Sequence, residues 1–401
     1  MIAATIDHER AADEVWDALV VGAGPAGALA ARQAALAGNR VLLVDCKNFP
    51  RPKVCGACLN GQALTILKSV GLDELPETLG GVMLDMFDVR SSGRGVRLAL
   101  PAGLAVSRMR FDAALVSQAI AAGVEFLPET LATLGGLCRG DRDECRTVSL
   151  RYGDSAPREA LARVVLAADG LPHASLRSHP EFSSRVAARS PIGIGGQVTE
   201  YPAAFVPGTI FMAVGRQGYV GLVRVEEGLL NIAAALAPGF VKAAGGPAAA
   251  IAAVVEQAGL PRIPALPEAD WQGTLPLTRR TRHAAARRVL LLGDAAGYVE
   301  PFTGEGMAWA FAAASATPPF IERARASWDT AVEAEWQATL ERMVRRRQRW
   351  CRLLAAALRH PLAIRLLLET VSLIPSLASP IVRSLNRPPA RASAVIKPPG
   401  R

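Results

Sequence analysis

The chain has 401 residues, of which 50% are hydrophobic and 20% are charged. At roughly 150 residues per domain, this length predicts two or three packed units, and the composition excludes a disordered chain. No window of about 18 uninterrupted apolar residues is present, so no membrane-spanning helix is predicted. The six cysteines do not form a disulfide framework, and the acidic N-terminus is not a secretory signal. We therefore expect a cytoplasmic protein with reduced thiols.

The first predicted elements form a β-α-β unit. Residues 17–21 are a continuous apolar run, which predicts a buried strand. A glycine turn follows, then an alanine-rich helix to about Gly38, and residues 40–45 predict a second strand. This order is typical of a parallel sheet covered by helices.

Later segments divide between two kinds of sheet. A helix is predicted over 111–122, and apolar strands are predicted over 124–127, 162–168 and 289–293. Short strands divided by glycines and charges are predicted near 192–198, 209–214, 218–225 and 229–236. The second pattern indicates an antiparallel sheet that interrupts the parallel one. Residues 321–385 predict helices.

The glycine turn reads Gly22-Ala23-Gly24-Pro25-Ala26-Gly27, directly after a strand and at the start of a helix. Gly22 suits a tight turn, Gly24 lets a pyrophosphate approach the backbone, and Gly27 permits close helix–strand packing. The N–H groups of the helix N-terminus favour phosphate. Asp45 ends the next strand, where an acidic side chain accepts hydrogen bonds from ribose hydroxyls. The unit predicts dinucleotide binding without distinguishing NAD from FAD.

Two later segments carry further site residues. An apolar strand runs into Asp169-Gly170, and a second runs into Gly293-Asp294, so each places a carboxylate at the carboxyl edge of the sheet. Gly304 and Gly306 then begin an alanine-rich helix. Its positive N-terminal end suits the anionic reduced form of a flavin ring.

With these segments, the chain from about Asp17 to Ala314 resembles the FAD-dependent oxidoreductases of the geranylgeranyl reductase-like branch, close to the group A flavin monooxygenases. The matching pieces include the glycine turn, Asp45, the segment from Arg51 to Gly56, the segment from Arg108 to Asp112, Asp169-Gly170 and the segment from Gly293 to Met307. The resemblance implies that Asp45 holds the adenosine ribose and Asp294 the ribityl chain. It places Arg108 and the Cys55–Cys58 turn along the FAD, and Gly306 and Met307 at the isoalloxazine edge.

The expected fold is α/β: a Rossmann-like FAD-binding domain of the glutathione reductase type, an inserted antiparallel substrate domain, and a helical C-terminal region. The FAD-binding domain is predicted to comprise residues 1–75, 100–170 and 286–320, and the substrate domain residues 76–99 and 171–285. Helices are expected over 321–387 and a disordered tail over 388–401. The predicted cofactor-binding residues are Gly22, Gly24, Ala26, Gly27, Asp45, Cys55, Gly56, Cys58, Arg108, Asp169, Gly170, Gly293, Asp294, Pro301, Gly304, Gly306 and Met307.

Catalytic residues are less clearly indicated. Cys55 and Cys58 form a C-x-x-C, which is either a redox or proton-donating pair or a tight turn of buried thiols beside the flavin. Glu305 is either a general acid near the flavin or a residue of the first helical turn. Cys55 and Glu305 are the candidate catalytic residues. No second Cys/His pair has suitable spacing, so no metal site is predicted.

The basic excess lies near the C-terminus, because residues 317–401 hold 15 Lys and Arg but only 6 Asp and Glu. No nucleic-acid-binding motif is present. Six arginines lie between Arg342 and Arg352, followed by a leucine-rich segment. This pattern fits either peripheral docking on the inner face of the membrane through anionic lipid, or a helical cap with solvated arginines.

Three functions follow from these features. The first is a reductase that saturates C=C bonds of an isoprenoid or lipid-like substrate, with NAD(P)H as electron donor. The second is a group A monooxygenase that hydroxylates an aromatic or polyketide product with NAD(P)H and O₂. The third is a flavin-binding interaction protein. The reductases usually carry Tyr-x-Trp-x-Phe-Pro in the substrate sheet, whereas the comparable segment here, from Tyr219 to Arg224, lacks the Trp and the Pro.

Overall fold

The computed structural model describes residues 1–139, 144–300, 302, 304–345, 348–349, 351 and 361–373. The strands are β1 Val15–Val21, β2 Val41–Val44, β3 Cys58–Asn60, β4 Val82–Met83, β5 Met86–Ser91, β6 Arg94–Ala99, β7 Gly103–Ala105, β8 Glu125–Leu127, β9 Thr130–Arg139, β10 Glu144–Tyr152, β11 Arg158–Ala167, β12 Ser184–Val186, β13 Ile192–Val198, β14 Thr209–Gly215, β15 Gly218–Arg224, β16 Leu230–Leu236, β17 Gln272–Pro276, β18 Arg279–Thr281, β19 Ala285–Ala286 and β20 Val289–Leu291. The helices are α1 His8–Asp13, α2 Pro25–Leu36, α3 Gly61–Ser69, α4 Leu75–Thr78, α5 Arg108–Ala121, α6 Pro238–Ala243, α7 Pro247–Gln257, α8 Gly306–Ser315, α9 Pro318–Ala326, α10 Thr330–Leu340 and α11 Pro361–Leu373.

The first sheet is built on parallel strands. Its order is β19-β20-β11-β1-β2-β8, and β10 pairs with β11 and β9. β20, β11, β1, β2 and β8 pair with one another in parallel, whereas β19, β10 and β9 join the sheet through antiparallel pairings. β2 and β20 are apolar and fully buried. Such continuous apolar runs are typical of parallel strands covered on both faces. The sequence analysis does not predict β9 and β10, because glycines, arginines and acids interrupt their apolar pattern.

Helices α2, α5 and α8 cover one face of this sheet. Ala28, Ala31 and Ala34 of α2 are buried in one core with Phe311 and Ala314 of α8. Small side chains on both helices allow their backbones to approach closely. This close packing places the N-termini of α2 and α8 at the carboxyl edge of the parallel strands.

The second sheet has seven strands in the order β17-β13-β16-β15-β14-β5-β6. All its pairings are antiparallel except that of β14 with β5. The strands predicted at 192–198, 209–214, 218–225 and 229–236 correspond to β13 to β16. The expected fold class, a Rossmann-type FAD-binding domain with an antiparallel sheet and helices, is confirmed.

The C-terminal helices pack on both units. α9 and α10 pack on the first sheet and its helices, where Ile321 and Trp336 belong to the same core as α2 and α8. α11 packs on β6 and buries Ile364 and Leu368 against Val89 and Met212. No helix of the described segments is long and apolar enough to cross a membrane. The tail predicted at 388–401 lies outside the described residues.

Candidate active site

The glycine turn connects β1 to α2 in the first β-α-β unit, and its three glycines have different surroundings. Gly22 has φ +99°, and a Cβ there would overlap the backbone of Ala168 at the end of β11. A Cβ on Gly27 would overlap the carbonyl oxygen of Gly22. Gly24 faces open space instead, since its nearest neighbours would be Arg108 Nη2 at 3.9 Å and Arg51 Nη2 at 4.0 Å. The N-terminus of α2 is therefore an open cradle flanked by two guanidinium groups.

Asp45 follows β2 and is buried. Its Oδ2 accepts a hydrogen bond from the Ala23 N–H at 2.7 Å, and its Oδ1 accepts one from the Lys47 N–H at 2.9 Å. Arg51 Nη2 lies 3.6 Å from Oδ2. Asp45 thus ties the glycine turn to the next loop, at the edge where the sequence predicts a ribose.

The two guanidinium groups are held by Asp112 of α5. Arg108 Nε and Nη2 donate to the two carboxylate oxygens of Asp112 at 2.6 and 2.7 Å, and Arg51 Nη1 lies 3.8 Å from Oδ2. Burial alone lowers the pKa of Arg108, but Asp112 more than offsets this and raises it. Arg51 Nε is buried without a hydrogen-bond partner among the described residues. The pair is fixed in place and carries more positive charge than Asp112 offsets, which suits a pyrophosphate.

The Gly293–Ala296 turn follows β20 and lies across from this pair. Burial raises the pKa of Asp294, and the charges of Lys53, Arg108 and Arg279 oppose that shift. The side chain of Lys53 is open to solvent in the cleft, yet the surrounding protein and the neighbouring Arg108 and Arg51 lower its pKa. Three segments distant in sequence therefore supply one cluster of charges around the N-terminus of α2.

The Cys55–Cys58 turn lies along the same cleft. The Cys55 side chain contacts Arg108, and its backbone carbonyl accepts from Asn231 Nδ2 at 3.0 Å. Cys58 donates to the Gly56 carbonyl at 3.1 Å, and burial raises the pKa of its thiol. Both cysteines are free thiols. Cys55 therefore borders the charged cluster, whereas Cys58 packs against Gly304.

Asp169 and Gly170 follow β11. Asp169 Oδ2 accepts from the backbone N–H and the hydroxyl of Ser175, each at 2.9 Å. Burial raises the pKa of Asp169, while burial lowers the pKa of the neighbouring His173. His173 and Asp169 interact electrostatically, an arrangement that the sequence analysis does not predict.

The start of α8 completes the site. Gly304 has φ +73°, Gly306 begins the helix, and Met307 is buried. Glu305 is buried beside the helix start, where its Oε2 accepts a hydrogen bond from Cys351 Sγ at 2.9 Å. The predicted residue Pro301 lies outside the described residues.

Aromatic side chains of the second sheet contact the same loop. The ring of Phe302 meets Tyr219 of β15 at 5.1 Å and Phe87 of β5 at 5.9 Å between centroids, both edge to face. Val89, Met212 and Val214 pack with these rings. Tyr219 is the only one of the three rings that sequence reasoning singles out, because the contact depends on how two sheets meet.

These features fit FAD. The open position at Gly24, the two guanidinium groups beside it and the orphaned Nε of Arg51 match a pyrophosphate, and Asp45 and Asp294 lie on either side along the cleft. A protein-family model described as FAD binding domain matches residues 15–196. The fold, the site and this match define the class: the protein is an FAD-dependent oxidoreductase.

The comparisons with individual proteins support the resemblance described above. The chain is 28% identical over 310 residues to digeranylgeranylglycerophospholipid reductase 1 of Methanopyrus kandleri, covering 73% of this chain and 76% of that protein. It is also 28% identical over 321 residues to the menaquinone reductase of Mycolicibacterium smegmatis, covering 73% and 72%. Among solved structures, a triple mutant of the flavin-dependent brominase Bmp2 has a TM-score of 0.77 at 17% identity, covering 92% and 94%. At that identity the brominase shows the shared fold alone.

Proposed function

We propose that this protein reduces C=C bonds of an isoprenoid or lipid-like substrate by means of reduced FAD. Support comes from the two relatives, whose names denote reduction of a geranylgeranyl phospholipid and of menaquinone, and which align over about three quarters of the chain. The observation that carries the proposal is the apolar group of Phe87, Tyr219 and Phe302. It joins the antiparallel sheet to the loop that leads into α8.

This apolar group suits a hydrophobic substrate. Phe302 is buried and lies three residues before the N-cap of α8, the end of the helix proposed to face the flavin. Val89, Met212 and Val214 continue the apolar surface along the sheet. Apolar walls of this kind bury a hydrocarbon chain and exclude water from the reacting bond.

The cofactor is assigned to the residues of the cleft. Arg51, Arg108 and the N-terminus of α2 would hold the pyrophosphate, Asp45 the ribose, and Asp294 the ribityl chain. Bound FAD would accept a hydride from a nicotinamide donor and pass a hydride to the substrate. NAD(P)H is the proposed donor, and it would bind transiently.

A proton must reach the second carbon of the reduced bond, and Cys55 is our first candidate to deliver it. Its side chain lies beside Arg108 in the cleft, whereas Glu305 is buried against Cys351. Glu305 is therefore the second candidate.

The test is an anaerobic incubation of the protein with NADPH and a geranylgeranyl phospholipid. The mass of the product is measured by mass spectrometry. Addition of two hydrogen atoms per double bond supports the proposal. Incorporation of one oxygen atom into an aromatic substrate in air, with no reduction of the alkene, would instead establish the group A monooxygenase. The absent Trp and Pro in the segment from Tyr219 to Arg224 make this second outcome worth testing.

Matched cysteine variants test the proton donor. Cys55→Ser is expected to slow alkene reduction by about a hundredfold, the scale of one general acid, while reduction of the flavin by NADPH continues. Cys138→Ser is the control, since Cys138 is a free thiol in β9, where it lies opposite Cys145. Equal turnover in wild type and Cys55→Ser would transfer the role to another group, and Glu305→Gln would then be tested.

We also propose peripheral contact with anionic membranes through the C-terminal region. Leu366 and Leu373 of α11 are 62% and 82% exposed, and Arg94 of β6 pairs with Glu369 of this helix. Basic residues near an anionic surface contribute about 1 kcal/mol each. Co-sedimentation with phosphatidylglycerol vesicles at low salt, reduced in a Leu366→Ser/Leu373→Ser variant, supports this contact; absence of binding to these vesicles refutes it.

A further inference from the structure

The turn between β15 and β16 of the second sheet packs against the start of α5. The Val225 N–H donates to the Leu229 carbonyl at 2.9 Å, which closes the turn. Val223 and Val225 are buried in one core with Ala105, the last residue of β7. Because β7 runs into α5 after two residues, this core holds the turn beside the N-terminus of that helix.

Glu226 of this turn is a buried acid that binds the backbone of the α5 N-terminus. It is 4% exposed, and its Oε2 accepts a hydrogen bond from the Ser107 N–H at 2.9 Å. Ser107 is the N-cap of α5, and its hydroxyl accepts a hydrogen bond from the Arg110 N–H at 3.3 Å. A buried carboxylate needs such donors, and the positive end of a helix also favours its charge. Glu226 therefore fastens the first turn of α5 to the second sheet.

The residue after this N-cap is Arg108, which borders the open position at Gly24. Its guanidinium group is held by Asp112, four residues further along the same helix. Because both side chains belong to α5, their hydrogen bonds do not fix the helix relative to Gly24. Contacts outside α5 must do so, and the bond from Ser107 to Glu226 is the one nearest to Arg108 along the backbone.

The neighbouring acid in the turn, Glu227, has a different environment. It pairs with Arg110, but the two side chains are 62% and 41% exposed. Ion pairs exposed to this extent contribute little to stability. Glu227 thus offers a matched comparison, because it is an acid of the same turn that does not accept from the Ser107 N–H.

We propose that Glu226 is a positioning residue for FAD. By holding the N-cap of α5, it keeps the Arg108 guanidinium beside Gly24, where the pyrophosphate is assigned. The second sheet would then contribute to FAD affinity through a residue that does not contact the cofactor. This inference rests on the proposed assignment of the pyrophosphate to Arg108, and not on the identity of the substrate.

The test measures the FAD dissociation constant of the full chain by titrating the apo protein with FAD and following flavin fluorescence. Glu226→Asp keeps the charge, but its side chain is one methylene shorter, so the Ser107 N–H loses its acceptor. We expect the dissociation constant to rise about tenfold. Glu226→Gln keeps the length and an acceptor oxygen, so it should bind FAD within about threefold of wild type. Glu227→Gln is the control and should bind FAD as wild type does.

A double-mutant cycle with Arg108→Gln tests whether Glu226 acts through Arg108. Arg108→Gln alone should weaken FAD binding by about tenfold or more, because a charged donor to the pyrophosphate is lost. In that background, Glu226→Asp should add less than about a twofold effect, since no guanidinium remains to be positioned. A merely structural role would instead weaken binding by the same factor in both backgrounds.

Urea unfolding of each apo variant establishes that it is folded before affinities are compared. The proposal is overturned if Glu226→Asp binds FAD as tightly as wild type, or if its full effect persists beside Arg108→Gln. If Arg108→Gln itself binds FAD as wild type does, the pyrophosphate assignment is wrong and the proposal falls with it.

Discussion

Gly24 and Gly27 are three residues apart in the same turn, but a side chain added at each position would meet different surroundings. A side chain at Gly27 would strike the carbonyl of Gly22, whereas one at Gly24 would point into the open cradle between Arg51 and Arg108. Gly27 is therefore required by the packing of the turn, whereas Gly24 is proposed to leave room for the ligand. The glycine motif predicts the same division of roles, and the structure supplies the distances at each position.

This contrast makes the first prediction. Gly24→Ala should fold with a melting temperature near that of wild type but bind FAD at least about tenfold more weakly, because the methyl group occupies space needed by the pyrophosphate. Gly27→Ala should lower the free energy of unfolding by about 3 kcal/mol, since helix and turn must separate. Flavin absorbance after desalting and urea unfolding of the apo forms measure the two effects. Equal flavin retention in Gly24→Ala and wild type would contradict the assignment.

A second prediction at the same scale concerns Asp45. Asp45→Ala should lose most bound FAD and should also destabilise the apo protein by about 1–3 kcal/mol, because the Ala23 N–H loses its acceptor. Flavin content and urea unfolding are measured together. Asp73→Ala, at an exposed position, serves as the control. Full flavin occupancy in Asp45→Ala would refute the ribose role.

At the scale of elements, the contact between α2 and α8 positions both helix N-termini. Alanines on each helix keep the two backbones close, and bulkier residues such as Phe311 fill the space beside them. The sequence shows the alanine-rich character of each helix but not that the two helices meet.

Ala314→Leu tests this packing. Ala314 is fully buried in α8, so added methyl groups should lower the free energy of unfolding by about 1–3 kcal/mol. Ala326→Leu, at the exposed end of α9, should change stability by less than about 0.5 kcal/mol. Urea unfolding of both variants gives the comparison, and equal stability of the two would show that α8 packs loosely on α2.

At the scale of the whole molecule, the cleft brings several charged side chains close together, which costs free energy in the ligand-free protein. Lys53, Arg51, Arg108, Asp112 and Asp294 come from three separate parts of the chain. The pKa shifts of Lys53, Arg108 and Asp294 reflect burial together with repulsion or attraction by the neighbouring charges. A cofactor that binds there would offset part of this electrostatic cost, so flavin binding is coupled to the stability of the fold.

Asp294→Asn should stabilise the apo protein at pH 7 and, at the same time, weaken FAD binding. Burial raises the pKa of Asp294 above its ordinary value, so its favourable contribution is present at acid pH and is lost as the pH rises through that raised pKa. At pH 7 the apo variant should therefore be more stable than wild type, with the difference shrinking toward pH 4. Its FAD affinity should fall by about tenfold, as one hydrogen-bonding group is altered. Urea unfolding across pH checks the first effect and flavin titration the second; a variant less stable than wild type at pH 7 would contradict the prediction.

The sequence by itself determined the elements whose signals are local. The β-α-β unit, the glycine turn, Asp45, Asp294 and the four antiparallel strands follow from contiguous patterns of apolar residues and glycines. These patterns act over a few residues, so no knowledge of the remaining chain is needed. The FAD-dependent class follows from them and agrees with the matched FAD binding domain.

Only the tertiary structure decided which distant side chains meet. Arg51 and Arg108 converge on Gly24 because α5 and the loop after β2 pack at one sheet edge. Phe87, Tyr219 and Phe302 meet because the second sheet rests on the loop before α8. Trp309 packs with Val344 because the π-helical turn Glu341–Arg345 contacts α8. Each contact depends on the angle and distance at which elements pack. Local periodicity carries no information about those quantities, since it reports only which face of an element is buried.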